Sequence, residues 1–189
     1  MSRGSAASSS STSPARGLVI VYTGGGKGKT TAALGLAIRA IGHDWHVCMI
    51  QFIKGTRHSG EIETVKRLAP NFELIVAGEG FVGVPGGKKP LAVHKAAAKR
   101  ALEISREKLL SGKYQVVILD EINYALSLKL LELNDVLDLI LIRPPQVTLV
   151  LTGNNADPKV IEAADLVTEM KSIKHPFETG VPAIRGVDY

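Results

Sequence analysis

The sequence holds one cysteine, Cys48, one tryptophan, and only 5% aromatic residues. A single thiol excludes an internal disulfide framework and fits a reducing compartment, so a cytoplasmic location is expected. No apolar run approaches the roughly 20 residues that span a bilayer, and no membrane partner is expected. Long blocks of Lys or Arg are missing, and aromatics are not interleaved with basic residues. That pattern excludes a dedicated nucleic-acid groove from the expectations. The first 16 residues, MSRGSAASSSSTSPAR, contain no acid. They carry too little apolar surface to offset the entropy of ordering, so a disordered tail is predicted over 1–16. They lack both the amphipathic pattern of an organelle transit peptide and the apolar core of a secretory signal.

What is present describes one ordinary domain over 17–189. The 189 residues are 45% hydrophobic and 22% charged, enough for a single core. Net charge is +5 and the pI about 9.4. Such a balance attracts anions, among them nucleotides and acidic small molecules.

From Gly17 the chain alternates strand and helix patterns. Apolar runs at 17–23, 46–53, 72–78, 114–121, 146–153 and 166–170 read as strands. Helical patterns fall at 30–42, 59–69, 91–110 and 157–165, with two short helices between residues 122 and 142. Residues 79–90 are rich in glycine and proline and read as a loop. The expected fold is α/β: a mainly parallel sheet of about six strands with helices on both faces. Ligands of such sheets bind at the carboxyl ends of the strands. The glycine loops and the acids fall at those ends, which points to one shared site.

TGGGKGKTT at 23–31 lies between the first strand and the first helix, where a phosphate-binding loop must be. The usual pattern opens on glycine; here Thr23 takes that place, and Gly28-Lys29-Thr30 matches. Gly24, Gly25, Gly26 and Gly28 let successive N–H groups turn toward one anion. The following helix adds its positive end. Lys29 would set an ammonium on phosphate oxygens, and Thr30 would offer a hydroxyl to Mg²⁺. The glycines do not fit a dinucleotide fingerprint. VVILDE at 116–121 is an apolar strand ending in two acids, and from the residues alone either Asp120 or Glu121 can hold the metal.

A phosphate loop does not fix a function. The guanine-reading NKxD motif and an arginine-rich kinase lid are both missing from the sequence. A P-loop kinase or ATPase, and a non-catalytic nucleotide carrier, remain as alternatives. Six segments taken together resemble a known family: the loop and its helix, QFIKG (51–55), GEGF (78–81), VVILDEINYAL (116–126), LVLTG (149–153) and the stretch 161–189. The chain is similar to the ATP:corrinoid adenosyltransferases of the CobA/CobO/BtuR type from about Gly17 onward.

The resemblance implies a P-loop, RecA-like fold and a reaction that is not phosphoryl transfer. A reduced Co(I) corrinoid attacks the 5′ carbon of ATP, and triphosphate leaves. It further implies that Gly24 to Thr30 wrap the triphosphate and that Lys27 and Lys29 neutralise it. Thr30 and Glu121 would hold Mg²⁺, and Arg39, Thr31 and Lys54 would reach the nucleotide. Phe81 would wall the lower face of the corrinoid. The family also brings an electron donor such as a flavoprotein, and a homodimer. Three departures stand out. Gly25 replaces an Asn common in the family, Val82-Gly83 replaces Thr-Trp, and Asn154 replaces an Arg. Trp45 lies in a turn before the second strand and cannot supply the missing tryptophan. His175 is assigned a structural role, because displacement at carbon needs no proton abstraction, and Cys48 a place in a buried strand.

Overall fold

The computed structural model describes residues 16–55, 59–80, 82 and 89–189. The tail expected over 1–16 therefore lies outside the described residues except for Arg16, and so do Phe81 and most of the glycine- and proline-rich loop.

Six strands form one sheet: β1 (Val19–Thr23), β2 (Val47–Gln51), β3 (Phe72–Val76), β4 (Val116–Asp120), β5 (Thr148–Thr152) and β6 (Leu166–Glu169). Their order across the sheet is β3-β2-β4-β5-β1-β6, and every pairing is parallel. The expected parallel α/β sheet is therefore present, with RecA-like spacing in one respect. A single strand, β5, separates the strand of the phosphate loop from the strand that ends in acids. Each strand is a few residues shorter than its apolar run, because the ends of the runs continue as loop backbone.

The runs look uniformly apolar, yet the sheet sorts them by alternation. Val19, Val21, Cys48, Ile50, Val117, Leu119, Leu149 and Leu151 face one core. Ile20, Val47, Met49, Val116, Ile118 and Val150 face the other. Both faces are covered, which is why no strand of the centre could afford a polar face.

Helix α1 (Lys29–Ile41) covers the second core and ends at Gly42. Its buried residues include Ala33, Ala37 and Ala40, and their small size lets the helix axis lie close to the sheet. Helix α2 (Gly60–Leu68) packs beside it through Val65 and Leu68. On the opposite face, α3 (Leu91–Leu110) buries His94, Ala97, Ala98, Ala101, Ser105 and Leu109, a stripe at helical spacing. The short α4 (Ile122–Ser127), α5 (Leu133–Ile142) and α6 (Pro158–Glu162) complete that layer. Beyond β6 the chain makes one 3₁₀ turn, Pro176–Thr179. His175 caps it, its Nδ1 accepting from the Phe177 N–H at 3.2 Å. Cys48 is fully buried; burial, helped by the charge of Glu73, pushes its thiol up to about 12. Among the described residues no helix is long and apolar enough to cross a membrane.

Candidate functional site

The loop after β1 is shaped by its neighbours as much as by its own sequence. The Gly26 N–H donates to the Met170 carbonyl at 2.7 Å. A Cβ on Gly24 would lie 2.5 Å from that same oxygen, and one on Gly26 would lie 2.7 Å from it. The chain leaving β6 thus passes too close for side chains at these two positions. Gly24 and Gly28 also adopt positive φ, 93° and 121°, which glycine alone takes without strain. Gly25 is different: a Cβ there meets nothing within 4 Å.

Helix α1 starts at this loop with no side-chain cap on Gly28 and no acid in its first turn. Its first N–H groups are therefore left for an anion. Lys29 is buried, and its ammonium donates to the carbonyls of Gly24 and Gly26, both at 2.8 Å. Burial lowers its pKa, against the pull of Glu121 and Asp120. The charge is held inside the loop and aimed where an anion would sit.

Asp120 ends β4 and is fully buried. Its Oδ1 accepts from the hydroxyls of Thr30 and Thr152, both at 2.8 Å. Its Oδ2 accepts from Gln51 Nε2 at 3.3 Å. Burial raises its pKa, while Lys54 and these three donors oppose the rise. Glu121, the next residue, has a left-handed φ of 65° at the start of α4. Its N–H is satisfied by Thr152 Oγ1 at 2.9 Å. Burial, then the neighbouring Asp120 charge, raises its carboxyl to about 7.

These groups border a cavity of about 610 Å³. Lys27, Gly28, Lys29, Thr30, Thr31, Lys54 and Glu121 line it. Leu34, Ile38, Leu68 and Phe72 give it an apolar wall between α1 and α2. One end is thus cationic and rich in N–H donors, the other apolar, a pairing suited to a nucleotide.

Arg39 is not brought into the cavity. It stands exposed in the last turn of α1, about 15 Å along the helix from Lys29 at 1.5 Å per residue. Phe81 lies outside the described residues, and Asn154 does not line the cavity.

Sequence reasoning missed several members. Glu61, from the first turn of α2, lines the cavity and is ion-paired with Lys54. Gln51 and Thr152 hold Asp120, although neither touches the cavity. Gly186, Val187, Asp188 and Tyr189 form part of the cavity wall, with Asp188 paired to Lys27. Residues 51–55 of QFIKG and residues 78–80 pack together. The Gly80 N–H donates to the Ile53 carbonyl at 2.9 Å, and a Cβ on Gly78 would lie 2.4 Å from Ile53 backbone.

Among the described residues no group of three or more His, Cys, Asp and Glu forms a metal site. The set that faces the phosphate loop is instead all oxygen: the Thr30 hydroxyl with the carboxylates of Asp120 and Glu121. Two adjacent acids, both made costly to ionise by burial, fit a hard divalent cation that would compensate them.

Residues 15–189 match the family model described as ATP:corrinoid adenosyltransferase BtuR/CobO/CobP. The chain belongs to this adenosyltransferase family. Curated relatives agree. A corrinoid adenosyltransferase of Pseudomonas aeruginosa is 39% identical over 174 residues, covering 92% of this chain and 84% of the relative. One from a Sinorhizobium species is 40% identical over 176 residues, covering 92% and 81%. Corrinoid adenosyltransferase CobA of Salmonella typhimurium is 35% identical over 174 residues, covering 92% and 86%. Among solved structures, a KaiC-like protein of Pyrococcus horikoshii aligns at a TM-score of 0.49 and 16% identity, over 82% of this chain and 73% of that one. In this adenosyltransferase the loop, the acidic strand end and the C-terminal stretch that carried the resemblance all meet at one cavity.

Proposed function

We propose that this enzyme transfers the 5′-deoxyadenosyl group of ATP to the Co(I) of a reduced corrinoid, releasing triphosphate. The observation that carries the reading is the phosphate loop, with Lys29 buried in its crown, opening on a cavity that also has an apolar wall in a chain of the adenosyltransferase family. In the reaction the cobalt electron pair forms the Co–C5′ bond. The C5′–O bond breaks, and its electrons leave on triphosphate. No protein nucleophile and no proton transfer at carbon are needed, so the protein's work is grip, orientation and charge.

In this reading Gly24, Gly25, Gly26 and Gly28 offer N–H groups to the triphosphate, and Lys27 and Lys29 stabilise the charge that develops on it. Thr30 and Glu121 would hold Mg²⁺, which would screen the leaving group. Glu121 suits this role better than Asp120, because it lines the cavity, whereas Asp120 has both oxygens engaged. Thr31 and Lys54 line the nucleotide's path. Arg39 and Phe81 keep their family assignments as proposals, to phosphate and corrinoid respectively. The family resemblance further supports a homodimer and a separate electron-donor protein, such as a flavoprotein, acting in the cytoplasm.

The test is anaerobic incubation with ATP, Mg²⁺, a corrinoid and a strong chemical reductant. Growth of the cobalt–carbon absorption with stoichiometric inorganic triphosphate is expected. ADP with phosphate, or a phosphorylated acceptor, would instead establish a kinase or ATPase.

A further inference from the structure

Gln51 is 1% exposed at the end of β2, on the opposite side of β4 from the phosphate-loop strand. Its Nε2 donates to two carboxylates, Glu61 Oε1 at 3.2 Å and Asp120 Oδ2 at 3.3 Å. Ionised carboxylates only accept. Glu61 is ionised: burial works against this, but the hydrogen bond and charge of Lys54, together with a backbone hydrogen bond, outweigh it and bring the carboxyl down to about 2. With an acceptor on each side, the amide has one orientation. The consequence is that Gln51 Oε1 is buried with no donor in the protein. An orphaned buried acceptor is destabilising, so the residue is poorly explained by stability alone.

We propose that Gln51 is a positioning residue that acts on the phosphate-loop threonine through Asp120. Held by Gln51 at Oδ2, the Asp120 carboxylate keeps Oδ1 fixed to accept the Thr30 hydroxyl hydrogen at 2.8 Å. With its hydrogen committed inward, Thr30 presents its lone pairs to the cavity it lines, the arrangement a hard cation needs. Gln51 is itself anchored by Glu61, which Lys54 holds in an ion pair. Lys54, Glu61, Gln51, Asp120 and Thr30 thus form one line of contacts from α2 to the first residues of α1. The inference rests on the reading of Thr30 as a cation ligand, not on the adenosyl transfer itself.

The test replaces Gln51 by methionine, which nearly preserves volume and removes both the amide donor and the orphaned acceptor. Manganese(II) serves as the probe, its binding to the intact protein with ATP followed by electron paramagnetic resonance. A positioning role gives about tenfold weaker Mn²⁺ binding with an unfolding midpoint close to that of the parent, since the orphaned Gln51 Oε1 is exchanged for an Asp120 Oδ2 without its donor. A merely structural role gives the reverse, a lower midpoint with unchanged Mn²⁺ binding, and overturns the proposal. Should Gln51→Met not fold, Glu61→Gln decides, since it leaves β2 intact and weakens the anchor together with its Lys54 ion pair. Mn²⁺ binding weakened about threefold supports the proposal, and unchanged binding overturns it. Because this assay needs no corrinoid, it stays informative even if no adenosylcorrinoid forms. Absence of adenosyl transfer by the parent protein would count against the proposed function alone.

Discussion

Lys27 of the phosphate loop is ion-paired with Asp188, the penultimate residue, at 2.7 Å. The C-terminus is folded to present that acid: Asp188 Oδ2 accepts from the Ile184 N–H at 2.7 Å, and the Asp188 N–H donates to the Ile184 carbonyl at 2.8 Å. Hydrogen bonds from Ile184 and Lys27 hold the Asp188 carboxyl below its ordinary range. An anion arriving in the loop must compete with this carboxylate for Lys27. Asp188→Asn is therefore expected to tighten tripolyphosphate binding, measured by calorimetry, by about two- to fivefold at low salt, the scale of an exposed ion pair. The gain should shrink as ionic strength shortens the Debye length. An equal gain at high salt would show that the pair is not the cause.

The glycines of the loop are not equivalent. Gly24→Ala and Gly26→Ala set a Cβ 2.5 and 2.7 Å from the Met170 carbonyl, and each is expected to cost about 1–3 kcal/mol of stability by overpacking. A Cβ on Gly25 meets no atom within 4 Å, so Gly25→Asn should stay within about 0.5 kcal/mol of the parent. Urea unfolding of the three variants checks the order. The Asn variant also shows whether the side chain common in the family adds a phosphate contact here: tighter ATP binding at unchanged stability is expected.

Lys29 is held between two loop carbonyls, so Lys29→Ala removes a cation that is already in place. Adenosylation is expected to fall by about 10²- to 10³-fold, the loss typical of one preorganised electrostatic contact. The anaerobic cobalt–carbon absorbance assay measures it. Full turnover would detach the loop from the reaction.

Glu121 has its carboxyl raised to about 7 by burial and by Asp120. The ordinary value is 4.5, so between these two pH values the folded, ligand-free protein binds more protons here than the unfolded chain. Stability then falls as pH rises through that window and levels off above it. Asp120 contributes in the same direction, since burial raises it too. Glu121→Gln should reduce the slope, read as the unfolding midpoint between pH 4.5 and 7.5. In the parent, Mg²⁺ with ATP should restore stability most at the upper end, where the acids are ionised. A slope unchanged by the substitution would place the titration elsewhere.

Much of this was legible in the chain. The TGGGKGKTT spacing, the apolar runs and the VVILDE strand end each reflect local physics: backbone conformations open to glycine, burial on both sides of a parallel sheet, and an acid at a strand's carboxyl end. They located the phosphate loop, the order of elements, and Lys29 and Thr30 at the site; Lys27, Thr31, Lys54 and Glu121, which line the same cavity, came from the family resemblance. Arg39 was harder, because a helix residue's reach depends on its turn; the structure sets it at the exposed far end of α1.

What only the tertiary structure decided are relations between segments remote in sequence. Gln51 and Thr152 look like ordinary strand residues until β4 is found between β2 and β5, which brings both to Asp120. That Glu121 lines the cavity and Asp120 does not depends on tertiary placement, and the left-handed backbone at Glu121 is one that no local pattern announces. Gly24 and Gly26 read as freedom for a phosphate loop, but they are also clearance for Met170 and Lys171. The sequence by itself determined which residues can grip an anion, because that follows from side-chain chemistry and short-range backbone geometry. Which groups hold that grip in place was decided by strand order and by the path of the C-terminal segment, because those contacts exist only once the sheet has assembled.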